Sequence, residues 1–247
     1  DMAVRDRAAA TPAFGRWLER NVKAHRVPGY AIVNLSLKPV GIAPGDASDV
    51  QMDAAADLAD EFAFGEIRVS HNQNLVLADV ERGRLFELWE VAHAAGLATP
   101  NIGLLSDAIC CPGGDFCSLA NAKSIPVAEA IQREFEDLDY LHDIGDLDLN
   151  ISGCMNACGH HHVGHIGILG VDKKGQEFFQ VSLGGNAGSD ASLGQILGPS
   201  FAAAEIPGVL RQLIDVYLSR REDGERFLDT FRRIGIQPFK QAVYGRA

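Results

Sequence analysis

Cys111-Pro112-Gly113-Gly114-Asp115-Phe116-Cys117 and Ile151-Ser152-Gly153-Cys154-Met155-Asn156-Ala157-Cys158-Gly159 are the two stretches on which the reading of this sequence turns. Five residues separate the first pair of cysteines and three separate the second. Four thiols brought by two loops suit a cubane iron–sulfur cluster, because each iron takes one soft thiolate. Glycine is dense around them, at Gly113, Gly114, Gly153 and Gly159. It lets backbone come close to inorganic sulfide and leaves amide hydrogens free to bond it, which tunes a reduction potential. A tetrahedral zinc site is the leading alternative, although zinc modules usually contain a pair spaced by two residues. Buried, unligated thiols are a third reading. Cys110 is left over from the two pairs and reads as a packed thiol at a strand end.

Working outward, each cysteine pair follows an apolar run. Residues 104–109 and 147–152 read as strands that feed the two loops, with a helix over 127–138 between them. Residues 166–171 and 178–183 are strands around a Lys173-Lys174-Gly175 turn, followed by amphipathic helices over 206–221 and 225–234 and a polar tail. Upstream, residues 31–37 form a strand, 52–62 a helix, 65–70 and 74–78 two strands and 81–95 a helix. That β-α-β-β-α order suggests a ferredoxin-like arrangement. Residues 1–27 read as a polar, helix-forming lead-in or linker with Phe14, Trp17 and Leu18 on one face. The predicted fold class is therefore α+β. A ferredoxin-like half-domain at 28–100 precedes an α/β domain at 101–247 whose strand ends present the cysteines.

The chain has 247 residues, 47% hydrophobic and 22% charged, enough for one large or two ordinary cores. A formal net charge of −11 argues against nucleic acid or an anionic membrane surface as partner, since both need basic patches. No apolar run approaches the roughly 18–20 residues that span a bilayer, and the first residues lack a signal-peptide pattern. A cytoplasmic protein is expected. All five cysteines lie in the middle of the chain, unlike the spread of a disulfide framework. Four histidines follow the last cysteine at His160, His161, His162 and His165. Three adjacent side chains cannot all point at one centre, so one or two are expected to meet a cofactor or substrate and the rest to be exposed or packed.

Taken together, Cys-x5-Cys followed by the segment from Ile151 to Gly159 resembles the signature of the sirohaem and iron–sulfur sulfite and nitrite reductase family. Ser70-His71-Asn72-Gln73-Asn74-Leu75 resembles a turn in the family's second ferredoxin-like half-domain, and Leu183-Gly184-Gly185-Asn186 resembles another family segment. The similarity runs from about residue 28 to the C-terminus. The wording of 151–170 and the tail Phe231-Arg232-Arg233-Ile234-Gly235 is most similar to bacterial assimilatory sulfite reductase haemoproteins (beta subunits). The resemblance implies a 4Fe-4S cluster bound by Cys111, Cys117, Cys154 and Cys158, with Cys158 also bridging to the sirohaem iron. It implies that Asn156, Asn72, Gln73 and Asn74 lie against the cofactors, and His160 is the histidine of the run expected to join them. The family reaction is a six-electron reduction of sulfite to sulfide, in sulfur assimilation, or of nitrite to ammonia.

One departure stands out. A small oxyanion needs Arg and Lys as clamps and proton donors, and the family draws these from its N-terminal half. Here Lys38, Arg68 and Lys123 are isolated and read as solvated surface charges. With no starting Met, the chain reads as a fragment or one part of a two-part enzyme, whose partner is that N-terminal half. No Gly-rich dinucleotide fingerprint follows a strand, so a ferredoxin or a separate flavoprotein is expected to deliver electrons. A sirohaem nitrite reductase, or a non-catalytic iron–sulfur electron-transfer protein, are the alternative functions.

Overall fold

Period-two patterning in residues 30–35 buries Ala31, Val33 and Leu35 completely on one face of a strand and leaves Tyr30, Ile32 and Asn34 half-buried on the other. This strand belongs to the first of two units into which the computed structural model, which describes residues 2–245, divides between residues 102 and 103. The first unit runs α1 (Met2–Ala10), α2 (Pro12–Asn21), β1 (Val22–Ala24), β2 (Tyr30–Leu35), α3 (Asp49–Phe62), β3 (Arg68–Val69), β4 (Leu75–Glu81) and α4 (Leu85–Ala94). Its sheet is antiparallel throughout, in the order β1-β2-β4-β3. Val33 lies opposite Leu77 and Leu35 opposite Leu75, so the apolar faces of neighbouring strands coincide. Helix α3 starts three residues before the expected 52, because Ser48 and Gln51 form a reciprocal capping box. Leu58 and Phe62 of α3 and Leu85, Leu88 and Trp89 of α4 cover the sheet's inner face. Helix α2 adds Phe14 and Trp17, both fully buried, with Phe14 5.5 Å from the Trp89 ring.

The second unit contains β5 (Ile109–Cys110), α5 (Ser124–Glu134), α6 (Leu138–Ile144), β6 (Leu149–Ser152), β7 (Ile166–Lys173), β8 (Gln176–Leu183), β9 (Gln195–Ile196), α7 (Ile206–Arg220), α8 (Phe227–Ile234) and α9 (Gln237–Tyr244). Its mixed sheet has the order β5-β6-β7-β8-β9, parallel across β5, β6 and β7 and antiparallel beyond. Strand β6 is buried along its whole length, as a central parallel strand requires. Ile151, Ile168, Phe179 and Val181 pack with Ile131 of α5 and Leu210, Leu213 and Ile214 of α7.

Three expectations change here. Residues 104–108 form turns rather than most of a strand, because Asp107 accepts the Gly103 amide at 2.9 Å and closes a local loop. The helix expected at 127–138 starts at Ser124 and ends at Glu134, with Pro126 in its first turn and a separate α6 after it. The polar tail is the helix α9, anchored by a fully buried Phe239. None of the described helices is long and apolar enough to cross a membrane. Because Trp17 is wholly enclosed, Trp17→Ala should cost about 3–5 kcal/mol in denaturant unfolding. A loss under about 1 kcal/mol would show that residues 12–21 do not belong to the first core.

Candidate iron–sulfur centre

Strands β5 and β6 lie side by side and parallel, with Ile109 opposite Asn150 and Cys110 opposite Ile151. Both therefore end at the same edge, the carboxyl edge at which open parallel sheets collect ligands. One cysteine loop leaves each strand there. The Cys111 amide donates to Ile151 O at 3.0 Å, and the Gly153 amide donates to Cys111 Sγ at 3.0 Å. The loops are stitched further where the Asn121 and Ala122 amides donate to Gly153 O, at 2.9 and 3.0 Å, and Gly114 N–H donates to Ala122 O at 2.9 Å. This weave leaves no room for side chains at two glycines. A Cβ on Gly113, whose φ is +60°, would lie 2.5 Å from Ser124 N, and one on Gly153 would lie 2.7 Å from Ala122 O.

Cys154 is buried, Cys111 and Cys117 are half-buried and Cys158 is exposed. On the same stretches of chain Phe116, Leu119 and Met155 are 81%, 71% and 83% exposed. Asn156 is also exposed. Cys110 is buried and donates its thiol hydrogen to Cys111 O at 3.2 Å, which turns it away from the ligand set. The donor set fits a cluster: four soft sulfur donors, with an amide already directed at one of them. Among the described residues no three His, Cys, Asp or Glu side chains converge in the way a single ion needs.

Two polar residues of β6, which the sequence reading passed over, shape the second loop. Asn150 donates from Nδ2 to Gly159 O at 3.0 Å and His160 O at 3.2 Å, and Ser152 Oγ accepts the Gly159 amide at 3.1 Å. Both are buried. Their signal was available: an Asn and a Ser inside an otherwise apolar central strand need buried partners. The loop they hold turns through left-handed backbone at Ala157 (φ +56°) and His160 (φ +55°), uncommon for residues with a Cβ.

The four histidines do not share one environment. His160 and His162 are exposed. His161 is 4% exposed, lies with its ring centroid 4.0 Å from that of His162 at a tilt of 31°, and leaves Nδ1 without a hydrogen-bond partner. Burial, and then the neighbouring His162, push its pKa down to about 4. His165 is also held below the ordinary histidine value by burial, against the opposing pull of Asp148, whose amide donates to His165 Nδ1 at 3.1 Å.

The predicted Asn72, Gln73 and Asn74 lie in the first unit, on the turn between β3 and β4. Asn72 is exposed, Gln73 is half-buried with φ +57°, and buried Asn74 accepts the Leu37 amide on Oδ1 at 3.1 Å. Lys38, expected as a solvated charge, is 1% exposed and donates from Nζ to Asn72 O at 2.5 Å. Its ammonium is thereby tied to the back of this turn. Arg68 and Lys123 are exposed as expected, beside Glu66 at 2.6 Å and Asp115 at 3.8 Å.

The His161 environment fixes a pH dependence. Its folded-state pKa, about 4, lies below the ordinary 6.5, so protons bind the unfolded chain preferentially between those values. Stability should fall as pH drops from 6.5 towards 4, by on the order of 3 kcal/mol from this residue. Unfolding free energies at pH 7 and pH 4 should differ less in His161→Asn than in the unsubstituted protein. Equal differences would contradict this account of His161.

Comparison with known proteins agrees with the chemistry of the site. The family model for the nitrite and sulphite reductase 4Fe-4S domain matches residues 105–247, and that for the nitrite/sulfite reductase ferredoxin-like half domain matches residues 29–95. Sulfite reductase (ferredoxin) 2 of Mycolicibacterium paratuberculosis is 30% identical over 83% of this chain and 39% of its own. The ferredoxin–nitrite reductase of Synechococcus elongatus is 31% identical over 84% of this chain and 40% of its own. The solved structure of the Mycobacterium tuberculosis NirA protein superposes with a TM-score of 0.71 at 27% identity, covering 89% of this chain and 41% of that one. The chain thus spans about two fifths of the length of these relatives. A ferredoxin-like half-domain followed by a domain whose parallel strand ends carry two cysteine pairs places this chain in the nitrite and sulphite reductase family.

Proposed function

We propose that this chain is the cluster- and sirohaem-bearing part of an assimilatory sulfite reductase, which reduces sulfite to sulfide with six electrons. The observation that carries this reading is the pairing of two cysteine loops at the ends of adjacent parallel strands, with the Gly153 amide directed at Cys111 Sγ. Cys111, Cys117, Cys154 and Cys158 would each hold one iron. Cys158 is the exposed member of the four, which suits a thiolate shared with a haem iron. Asn156 and His160, exposed on the same loop, would contact the haem, and Asn72, Gln73 and Asn74 are likewise assigned to cofactor binding. When bound, the cluster and sirohaem would supply electron storage and the redox chemistry of oxyanion reduction.

The chain's own residues then have two tasks. Asn150 and Ser152 hold the loop carrying Cys154 and Cys158 in one conformation, so that ligation needs little rearrangement. Phe116, Leu119 and Met155 offer an apolar surface that a macrocycle would cover. Cationic clamps for the substrate would come from the N-terminal half of the same enzyme, and electrons from a ferredoxin or a flavoprotein in the cytoplasm. The acidic balance, a net charge of −11, gives no support to nucleic acid or an anionic membrane surface as partner. A sirohaem nitrite reductase would use the same residues, and the 31% identity to a ferredoxin–nitrite reductase beside the 30% to a sulfite reductase supports keeping it as the second reading.

Protein purified without air should contain about four irons and four acid-labile sulfides per chain, no zinc, and a haem-like absorption band. Cys154→Ser should lose the cluster, whereas Cys110→Ser should keep it. Retention of full iron and sulfide in Cys154→Ser, or zinc in place of both, would refute the ligand assignment. Cys158→Ser should abolish spectroscopic coupling between haem and cluster. Relative rates with sulfite and nitrite on the whole enzyme decide between the two substrates.

A further inference from the structure

Ser124 belongs to neither cysteine loop and matches no ligand pattern. We propose that it raises the reduction potential of the cluster by donating a hydrogen bond to Cys111 Sγ. The inference rests on the reading of Cys111 as a cluster ligand. Ser124 is fully buried and is the first residue of α5, and its Oγ lies 3.6 Å from Cys111 Sγ. Sulfur is larger than oxygen and accepts at this longer distance. In a free thiol either partner could donate. A thiolate on iron has no hydrogen, so the hydroxyl must be the donor.

Cys111 Sγ therefore accepts from two sides, from Gly153 N–H at 3.0 Å and from the Ser124 hydroxyl. A third contribution has the same sign. Helix α5 has 11 residues, and its first amides carry partial positive charge. A Cβ on Gly113 would lie 2.5 Å from Ser124 N and 2.6 Å from Ser124 Oγ, so the helix start is pressed against the loop that follows Cys111. Reduction adds negative charge to the cluster and its thiolates. Donors and positive dipoles at one thiolate stabilise the reduced form more than the oxidised form. Ser124 has no further purpose that requires a hydroxyl for helix initiation, because it stands inside α5 rather than at the N-cap position, which Lys123 occupies without a side-chain cap bond.

The test is an EPR-monitored redox titration of the holoprotein and of Ser124→Ala, with iron and sulfide measured on both. The expected result is equal cluster content and a midpoint potential about 59 mV lower in the variant, a tenfold change in the one-electron equilibrium. Ser124→Thr, which keeps the hydroxyl, should return the potential towards its original value. A fully loaded Ser124→Ala variant with an unchanged potential overturns the proposal while leaving the ligand assignment intact. If the unsubstituted protein holds no iron and sulfide, the ligand assignment fails and the role of Ser124 falls with it. Should Ser124→Ala fail to load, the unsubstituted protein carries the test after its apo form is equilibrated in heavy water and then reconstituted. Electron–nuclear double resonance of the reduced cluster should show two exchangeable deuterons at Cys111, one from the amide and one from the hydroxyl. A single deuteron overturns the proposal.

Discussion

The parallel pairing of β5 with β6 is the constraint on which the centre depends. Its register puts Cys110 opposite Ile151, and the chain directions then leave Cys111 and Gly153 as the first residues past the sheet on adjacent strands. From that single alignment follow the Cys111 amide bond to Ile151 O and the Gly153 amide bond to Cys111 Sγ, both 3.0 Å. Two loops more than forty residues apart are joined by main-chain donors, before any metal is considered. A slip of one residue would turn Cys110 towards the loop and bury Cys111, because side chains alternate across a strand.

The rest of the second unit serves this edge. Strand β6 has covered faces and contributes Ile151 to the core, yet it also carries Asn150 and Ser152, whose side chains hold the Cys158–His160 turn. Burying an Asn and a Ser in a central strand is acceptable only because both are hydrogen-bonded. The left-handed backbone at Ala157 and His160 is a cost of roughly 1–2 kcal/mol for each residue, and those same hydrogen bonds maintain it. Strain held in place by a satisfied polar network is the expected arrangement where geometry serves ligation.

Much of this was legible in the sequence. The cysteine spacing and surrounding glycines indicated a cluster loop, and the β-α-β-β-α order indicated the ferredoxin-like unit. What stayed hidden depends on tertiary contact. Lys38 looked like any surface lysine, and only the fold takes its ammonium to Asn72 O. Phe239 sits in a short polar segment, so nothing local distinguishes a docked helix from a tail. Ser124 is 13 residues from Cys111 along the chain and meets it only because α5 begins against the Gly113 turn. The sequence reading began α5 three residues late, at 127, and the contact left no local signal at all.

Iron has an absorption edge well separated from that of zinc, so anomalous diffraction from crystals grown without air tests the central claim directly. The account requires iron density enclosed by the sulfurs of Cys111, Cys117, Cys154 and Cys158, with no step in the anomalous signal across the zinc edge. A single zinc peak among these thiols, or iron bound elsewhere with Cys111 unligated, would contradict it.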